Sequence, residues 1–405
     1  NTAYLLERLS QTLERLETLM AIFVSNRYLP RRILLLTGCF ARAAAERHSI
    51  SRLWKQSSGL IARSVTQNAG DHGEHYITRD KKEYWAMFYS AAGGGVLIAL
   101  MALFKTYLGS IIDDKVWKGL AEGLNYGFGF MVIFMLHFTV ATKQPAMTAA
   151  RFAEAVEKNP QGKTLNMKLA QLLVDVFRSQ SVAVLGNVVV AMGLAALIAF
   201  VYQHQTGEPL MNSEKIAYQL HRIDPLDGSL WFAAIAGVWL FCSGIISGYF
   251  DNRSNYLNMR MRLAQHPLLK KLMSEKSRVK FANYMHENYG SLIGNFCFGM
   301  LLGLTGLVGY LTHLPLDIRH VAFSSANLGY SAVSGQFAYP FFLQCIAFVL
   351  LIGLVNLMVS FSLTLWVALR SLNTEIDSWW AIWHEVCQIV KKRPLSLFFP
   401  VQLDK

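Results

Sequence analysis

The stretch AMFYSAAGGGVLIALMALF, residues 86–104, decides the fold of this chain. It carries no charged side chain, whereas Lys81 and Lys82 precede it and Lys105 follows it. A helix of this length reaches across a hydrocarbon core of about 30 Å. The stretch therefore predicts a membrane-spanning helix.

A second apolar run, residues 124–141, follows after a short polar turnaround at 105–123. Together the two runs predict a helical hairpin. Within it Gly119, Gly123 and Gly127 recur every four residues, so on a helix they share one face. Small residues on one face let membrane helices approach closely, so this face is expected to pack against a neighbouring helix.

The composition indicates that the whole chain is a membrane protein. Of its 405 residues 53% are hydrophobic, and the mean hydropathy is +0.30. Soluble domains are about 45 to 50% apolar, and here the apolar residues are concentrated in long runs. We therefore expect an all-α, polytopic membrane protein rather than several soluble domains. Its six predicted spans lie near residues 86–104, 124–141, 182–202, 230–250, 291–311 and 341–369.

The basic residues predict the orientation of these spans. Four of the connecting or terminal segments, residues 1–85, 143–181, 251–290 and 370–405, hold thirteen, six, eight and five Lys or Arg. The intervening loops hold three, two and one. Because cytoplasmic loops of membrane proteins are enriched in Lys and Arg, both termini are expected in the cytoplasm. The net charge of +12 then reflects topology and does not require a nucleic-acid partner.

The two ends of the chain are predicted to be helical and cytoplasmic. Residues 1–85 read as a small helical region, and residues 371–405 as an interfacial tail. The leucine and methionine side chains of the N-terminal part share one helical stripe, which indicates a helix packed on a partner: Leu5, Leu9, Leu13, Leu16 and Met20. The tail pairs Trp379, Trp380 and Trp383 with a following basic group, which suits a lipid headgroup layer.

The segment LPLDIRHVAFSSANLGY, residues 314–330, is unusually apolar for an external loop. One interpretation is a re-entrant segment, which survives at membrane depth only when it is buried in protein or faces water. The other is a structured cap outside the membrane, held by an Asp317 to Arg319 pair. The segment supplies three of our candidate functional residues: Asp317, Arg319 and His320.

Polar side chains inside or at the edges of the spans are further candidates, because such side chains usually face the bundle interior. Asn125, Asn187, Asn295 and Asn356 are expected to form hydrogen bonds between helices, and Asn295 joins the candidate set. His137 is predicted either to relay protons or to bond a neighbouring helix. Lys143, at the edge of a span, completes the embedded candidates.

We predict no metal site and no cofactor. His72, Glu74 and His75 carry metal-binding groups before the first span, but their spacing matches no strong ligand motif. The five cysteines are widely spaced and suggest neither disulfides nor zinc. The sequence also lacks a phosphate-binding glycine loop in a strand-to-helix context and a serine nucleophile elbow.

Several long stretches resemble a known family. They are EYWAMFYSAAGGG (83–95), LHFTVATKQPAMTAA (136–150), SGYFDNRSNY (247–256), HPLL (266–269), GNFCFGMLLG (294–303), LPLDIRHVAFSSANLGY (314–330) and LIGLVNLMVSFSLTLWVALRS (351–371). From residue 73 onward the chain is similar to the bacterial proteins labelled site-specific recombinase, or gonococcal crossover recombinase. The resemblance implies a location in the bacterial inner membrane.

The family label also implies DNA strand exchange. That chemistry needs a Tyr or Ser nucleophile beside cations that stabilise the transition state, and no such constellation is evident. The cluster that offers contacts to nucleic acid or lipid headgroups comprises Arg253, Arg260, Arg262, Lys270 and Lys271. Two functions are therefore expected as alternatives. The first is a membrane-embedded transport, permeation or envelope-scaffold protein with lipid and protein partners or a second copy of itself. The second is a membrane-tethered recombinase that binds DNA.

Overall fold

A computed structural model describes residues 80–141, 163–371 and 378–400 continuously, together with residues 9, 10, 12, 13, 16, 17, 20, 34, 37, 38, 77, 78, 148, 149, 152, 153, 155, 156 and 376. The chain divides into two compact units, residues 1–58 and 59–405. In the first unit, Leu9, Leu13, Leu16 and Met20 are helical and exposed. Their helical state agrees with the predicted stripe, while Leu5 lies outside the described residues.

The second unit is helical in its described parts. We label its α-helices as follows: α1 Lys81–Ile111, α2 Lys115–Met135, α3 Lys163–Thr206, α4 Ser213–Ile223, α5 Ser229–Tyr256, α6 Met259–Gln265, α7 Pro267–Leu272, α8 Glu275–Thr312, α9 Val321–Ser334, α10 Tyr339–Ser371 and α11 Trp379–Lys392. Two short 3-10 helices, Pro225–Asp227 and Pro394–Leu397, complete the elements. The all-α, polytopic fold class is thus confirmed.

Five of the described helices are long and apolar enough to cross a membrane: α1, α3, α5, α8 and α10. The remaining predicted span corresponds to α2, which has 21 residues. Its first two turns are more polar, because they carry Lys115, Lys118 and Glu122. By length and composition the structure therefore supports five spans, while α2 packs among them as the sixth long helix.

The predicted end of the second span requires a correction. We expected the span to reach residue 141, but α2 ends at Met135. His137 then adopts a left-handed backbone conformation with φ 58°, and residues 138–140 are not helical. The helix stops here because a neighbouring asparagine provides hydrogen bonds for the next backbone groups, as described below.

Glycines set the closest helix contacts, as the sequence predicted. The stripe formed by Gly119, Gly123 and Gly127 faces α8. A Cβ added at Gly303 would lie 2.3 Å from the Cα of Gly123, and one at Gly299 would lie 2.2 Å from the carbonyl carbon of Tyr126. No larger residue fits at these positions unless the two helices separate.

The short helix α9 lies inside the bundle. Every residue from 321 to 331 except Asn327 is buried. A Cβ at Gly329 would lie 2.3 Å from the carbonyl oxygen of Met192, in the middle of α3, and Tyr330 Oη donates to Ala99 O of α1 at 3.0 Å. Burial of this kind is expected of a re-entrant segment, and the Asp317 to Arg319 pair expected for a cap forms as well, so both interpretations stay predictions.

The bundle has two ends, which we name by the elements there. The α4 side holds α4, the turn between α1 and α2, and residues 313–320. The α11 side holds α11, the start of α3 and the end of α10, which share a buried apolar cluster including Leu169, Leu365 and Ile382. On α11 the side chains of Trp379, Trp380 and Trp383 are exposed, so its interfacial role stays a prediction.

Candidate functional site

Asn187 of α3 joins three parts of the chain. This side chain is 1% exposed. Its Nδ2 donates to Ala91 O of α1 and, at 2.9 Å, to Thr139 O. Its Oδ1 accepts from the backbone N–H of Ala141 at 2.8 Å. The asparagine thus replaces the helical hydrogen bonds that the non-helical segment after α2 has lost, which is how irregular backbone is tolerated inside a bundle.

Asn356 of α10 makes an equivalent set of bonds and is fully buried. Its Nδ2 donates to Ala233 O of α5 at 2.7 Å and to Arg319 O at 2.9 Å. Its Oδ1 accepts from Val321 N at 3.1 Å. We call these two arrangements the Asn187 node and the Asn356 node. Both confirm the predicted hydrogen bonding of asparagines between helices.

Three further polar candidates behave differently from one another. Asn125 donates to Met101 O of α1 at 2.9 Å, as expected for a bond between helices. Asn295 is buried and donates to Ser291 O of its own helix at 2.7 Å. His137 is exposed in the turn two residues after the end of α2, and not within the helix as expected. The turn forms because the following segment pairs with α1 and Asn187 instead. Lys143 lies outside the described residues.

Asp317 and Arg319 come together with an arginine that the sequence did not single out. Asp317 Oδ2 lies 2.6 Å from Arg319 Nη1 and 3.4 Å from Arg222 Nη1. Arg319 Nε also donates to Arg222 O at 2.7 Å. Tyr218 Oη accepts a 2.6 Å bond from Arg222. This cluster therefore joins α4 to the segment that precedes α9.

In this cluster the pKa of the Asp317 carboxyl is lowered, and the pKa values of the two arginines shift in opposite directions. Burial alone would raise the pKa of Asp317, but Arg222 and Arg319 outweigh burial and lower it. Burial would lower the pKa of Arg222, yet Asp317 and Tyr218 raise it. Burial and the nearby Arg222 charge lower the pKa of Arg319. One carboxylate thus faces two cations, which leaves the cluster with a net positive charge.

A cavity of about 480 Å³ opens beside this cluster on the α4 side. It lies between the ends of α1 and α2, α4, α8 and the segment before α9, and it reaches Asn327 of α9. Its lining combines five cationic side chains with two carboxylates: Lys105, Lys115, Lys118, Lys215, Arg222, Glu122 and Asp317. We call it the charged cavity.

The charges of the cavity are only partly paired. Lys105 Nζ lies 2.9 Å from Glu122 Oε2 and 5.4 Å from the ring centroid of Tyr126. Lys115 Nζ lies over the ring of Tyr310 at 4.2 Å. Lys118 is half-buried and extends towards Gly109, where an added Cβ would meet its Nζ at 3.1 Å. The excess of cations favours an anion in the cavity.

His320 occupies an aromatic site near the crossing of α2 and α8. It is 1% exposed and precedes the first residue of α9. Its ring centroid lies 6.1 Å, 5.9 Å and 5.8 Å from those of Phe130, Phe298 and Phe323. The candidate is therefore buried as expected, but among aromatic rings and away from the lining of the charged cavity.

The basic candidates lie at the opposite end of the bundle. The end of α5, together with α6 and α7, presents these exposed side chains: Arg253, Arg260, Arg262, Lys270 and Lys271. Tyr256, Met261, Leu268 and Leu272 are exposed beside them. Cations interleaved with exposed apolar side chains are typical of a surface that contacts lipid headgroups. Contact of this surface with lipid or with nucleic acid stays a prediction.

No group of three or more His, Cys, Asp or Glu side chains that could hold a metal occurs among the described residues. His72, Glu74 and His75 lie outside those residues. Cys242, Cys297, Cys345 and Cys387 are free thiols.

A model of the family described as site-specific recombinase matches residues 1–400. The chain belongs to this family. It is thus a family member whose described fold is an all-α bundle with five span-like helices. No curated protein and no solved structure matches the chain. The family assignment names no residue roles, so the chemistry of the site is argued from this chain's own geometry.

Sequence reasoning missed the charged cavity. One signal was present, because Lys105 and Glu122 are equally distant from the turn at Asp113 and Asp114. A helical hairpin brings such residues side by side, which predicts their ion pair. For Arg222 no comparable signal exists, since only the folding of α4 onto the segment before α9 places its guanidinium beside Asp317.

Proposed function

We propose that this member of the site-specific recombinase family is a membrane-embedded permeation protein whose charged cavity binds an anionic solute. The observation that carries the proposal is the cavity itself, whose lining holds five cations and two carboxylates. Solute sites typically enclose about 300 to 1,000 Å³ and present a few polar groups that fix orientation. The volume of this cavity, about 480 Å³, falls in that range.

The position of the charges supports permeation rather than a surface contact alone. Lys105 lies in the last two turns of α1, just beyond the apolar stretch 86–104, and Glu122 lies in the first part of α2, and both side chains are largely buried. Ionisable residues in membrane helices are costly and commonly mark the path of a solute or ion. The cavity also reaches Asn327 on α9, a helix buried among the other helices.

The test combines binding with flux. Purified protein is unfolded thermally in detergent with increasing sodium phosphate, against sodium chloride at equal ionic strength. Uptake of radiolabelled inorganic phosphate and of radiolabelled succinate is then measured in proteoliposomes. We expect phosphate to raise the unfolding midpoint and at least one anion to enter faster than into protein-free liposomes.

Two variants show whether the cavity is responsible. Lys118→Gln removes a half-buried cation of the cavity, and both effects should decrease several-fold. Lys276→Gln removes the same charge from the exposed first turn of α8 on the other side of the bundle, and both effects should persist. Equal losses in the two variants would contradict a cavity site. Anion binding without any flux would favour the envelope-scaffold alternative.

The recombinase alternative depends on the exposed basic surface at α5, α6 and α7. Tyr256 is its most exposed hydroxyl-bearing side chain, with 86% exposure. Two cations of this region are engaged by other groups, because Arg253 donates to Tyr249 Oη at 3.3 Å and Arg278 donates to Ala264 O at 2.6 Å. A covalent protein–DNA adduct that is formed with labelled duplex DNA and lost in Tyr256→Phe would establish this alternative in place of ours.

A further inference from the structure

The two asparagine nodes share one hydrogen-bond pattern. Asn187 binds α1 and the segment after α2, and Asn356 binds α5 and the segment after α8. A backbone bond accompanies each node, since Thr139 N donates to Ser90 O at 3.1 Å and Arg319 N donates to Phe232 O at 3.2 Å. In each case the acceptor residue directly precedes the alanine that the asparagine binds.

The glycine contacts repeat in the same register. Four residues after each of these alanines stands a glycine, Gly95 in α1 and Gly237 in α5. A Cβ at Gly95 would lie 2.8 Å from Asn187 O, and one at Gly237 would lie 3.1 Å from Asn356 O. Each glycine therefore lets its helix touch the asparagine-bearing helix at the same point.

The sequence around these contacts is similar in the two halves. Residues 90–96 read SAAGGGV, and residues 232–238 read FAAIAGV. Residues 125–129 of α2 read NYGFG, and residues 295–299 of α8 read NFCFG. The order of the long helices agrees as well, because each half contains two long helices, a non-helical break and a third long helix, while α6 and α7 of the second half have no counterpart among the described residues of the first. The halves are residues 81–206 and 229–371.

The two halves are inverted relative to each other. The equivalent helices α2 and α8 contact one another directly. A Cβ at Gly119 would meet Leu307, and one at Gly127, further along α2, would meet Phe296, earlier in α8. The equivalent helices therefore run antiparallel, as the members of an inverted repeat must. At this crossing the ring of Phe128 packs against that of Phe296 at 5.3 Å, and the ring of Phe130 against that of Phe298 at 4.9 Å.

The two halves differ in how closely their first two helices pack at the end of the hairpin, which affects the access of a solute to the space between them. In the first half, α1 and α2 border the charged cavity on the α4 side. In the second half, α5 and α8 are closed against each other at the corresponding end. A Cβ at Gly290 would lie 2.2 Å from Ser247 O, and Gly290 N donates to Asp251 Oδ1 at 2.8 Å. A Cβ at Gly294 would lie 3.1 Å from Ser243 O.

From this asymmetry we infer that the chain is an inverted repeat that opens alternately on its two sides. Inverted repeats in membrane transporters place the solute between the repeats, and access alternates as one repeat moves against the other. In the state described here the hairpin of α1 and α2 borders the charged cavity and is bridged by side chains such as Lys105 and Glu122, whereas the hairpin of α5 and α8 is packed backbone to backbone at the corresponding end. In the second state the two hairpins exchange these conformations. The inference rests on the proposed function, to which it adds the route of the solute.

The test measures whether the two sides open reciprocally. Gly290→Ala places a Cβ where the closed interface has no room, so it should favour the second state. Gly193→Ala is the matched control, because nothing lies within 4 Å of a Cβ at this glycine of α3. The reporters are Lys118→Cys at the charged cavity and Ser243→Cys at the closed interface. Each is placed singly in a chain whose native cysteines are replaced, and labelling by a membrane-impermeant maleimide is followed from each side.

We expect Gly290→Ala to raise the labelling rate of Ser243→Cys several-fold and to lower that of Lys118→Cys several-fold, while Gly193→Ala changes neither. A higher labelling rate of Ser243→Cys without a lower rate of Lys118→Cys would indicate local loosening and would overturn the inference. An unchanged labelling rate at both reporters would overturn it as well. If Gly290→Ala does not fold, Asp251→Asn weakens the same interface and should act in the same direction. The labelling assay uses no solute, so a negative result would refute alternating opening without refuting anion binding. Conversely, if the protein bound no anion, the labelling assay could still show whether the two sides open reciprocally.

Discussion

Replacing Asn356 with alanine tests the role of the Asn356 node in holding the segment before α9. The substitution removes three hydrogen bonds, those to Ala233 O, Arg319 O and Val321 N. The side chain is fully buried, so water cannot take over these bonds without rearrangement of the bundle. The segment should therefore lose its attachment to α5 and α10 together.

The expected cost follows from the number of bonds. Hydrogen bonds between membrane helices average about 0.6 kcal/mol and reach about 1.7 kcal/mol, so three of them contribute about 2 to 5 kcal/mol. Asn125→Ala is the internal reference, because its hydrogen bond to Met101 O corresponds to about 0.6 to 1.7 kcal/mol. Asn187→Ala should resemble Asn356→Ala, since its node has the same three bonds.

The assay is reversible unfolding of the purified protein in mixed micelles with increasing sodium dodecyl sulfate, followed by tryptophan fluorescence. We expect both node variants to lose at least about twice as much free energy of unfolding as Asn125→Ala. If Asn356→Ala cost no more than Asn125→Ala, the node would not hold the segment. The Asn187 and Asn356 nodes would then not be equivalent anchors of the two non-helical segments.

Three further predictions use the same measurement or a close variant of it. Gly303→Ala forces a Cβ to within 2.3 Å of the Cα of Gly123 and should lower the free energy of unfolding by about 1 to 3 kcal/mol. Lys105→Met and Glu122→Gln should each destabilise the protein by about 2 kcal/mol, because each leaves a partly buried charge unpaired. The double variant should be closer to the wild type than either single variant, and additive losses would show that the pair is not coupled. Folding lowers the pKa of Asp317 below its ordinary value of 3.8. The ionised carboxylate therefore contributes its full stabilisation of the folded state above pH 3.8, and this contribution is lost as the pH falls through the folded pKa. The stability difference between the wild type and Asp317→Asn should therefore shrink on acidification below 3.8, and a pH-independent difference would refute the ionic origin of the effect.

Much of the fold was predictable because its signals are local. Residues 86–104 identify a span by their own length and apolarity, and the four-residue glycine spacing in α2 identifies its packing face. The end of α2 was not predictable in this way, since residues 136–141 are as apolar as the helix before them. Their backbone leaves the helix because Asn187, from a distant part of the chain, provides alternative partners.

In the candidate site, too, the local features were predictable from the sequence and the features that combine distant residues were not. The 314–330 segment was recognisable as unusual, and the Asp317 to Arg319 pair follows from a separation of two residues. The charged cavity was not recognisable, because Lys105, Arg222 and Asp317 come from different elements and meet only on folding.

By itself the sequence determined the all-α, polytopic fold class, the five long apolar helices that could cross a membrane and the α2 face that packs, because apolar length and residue spacing act within single helices. The tertiary structure alone decided where helices are interrupted, which charges share a cavity and how the two halves correspond. These features depend on hydrogen bonds and ion pairs between residues far apart in the chain, whose geometry exists only when the helices are packed.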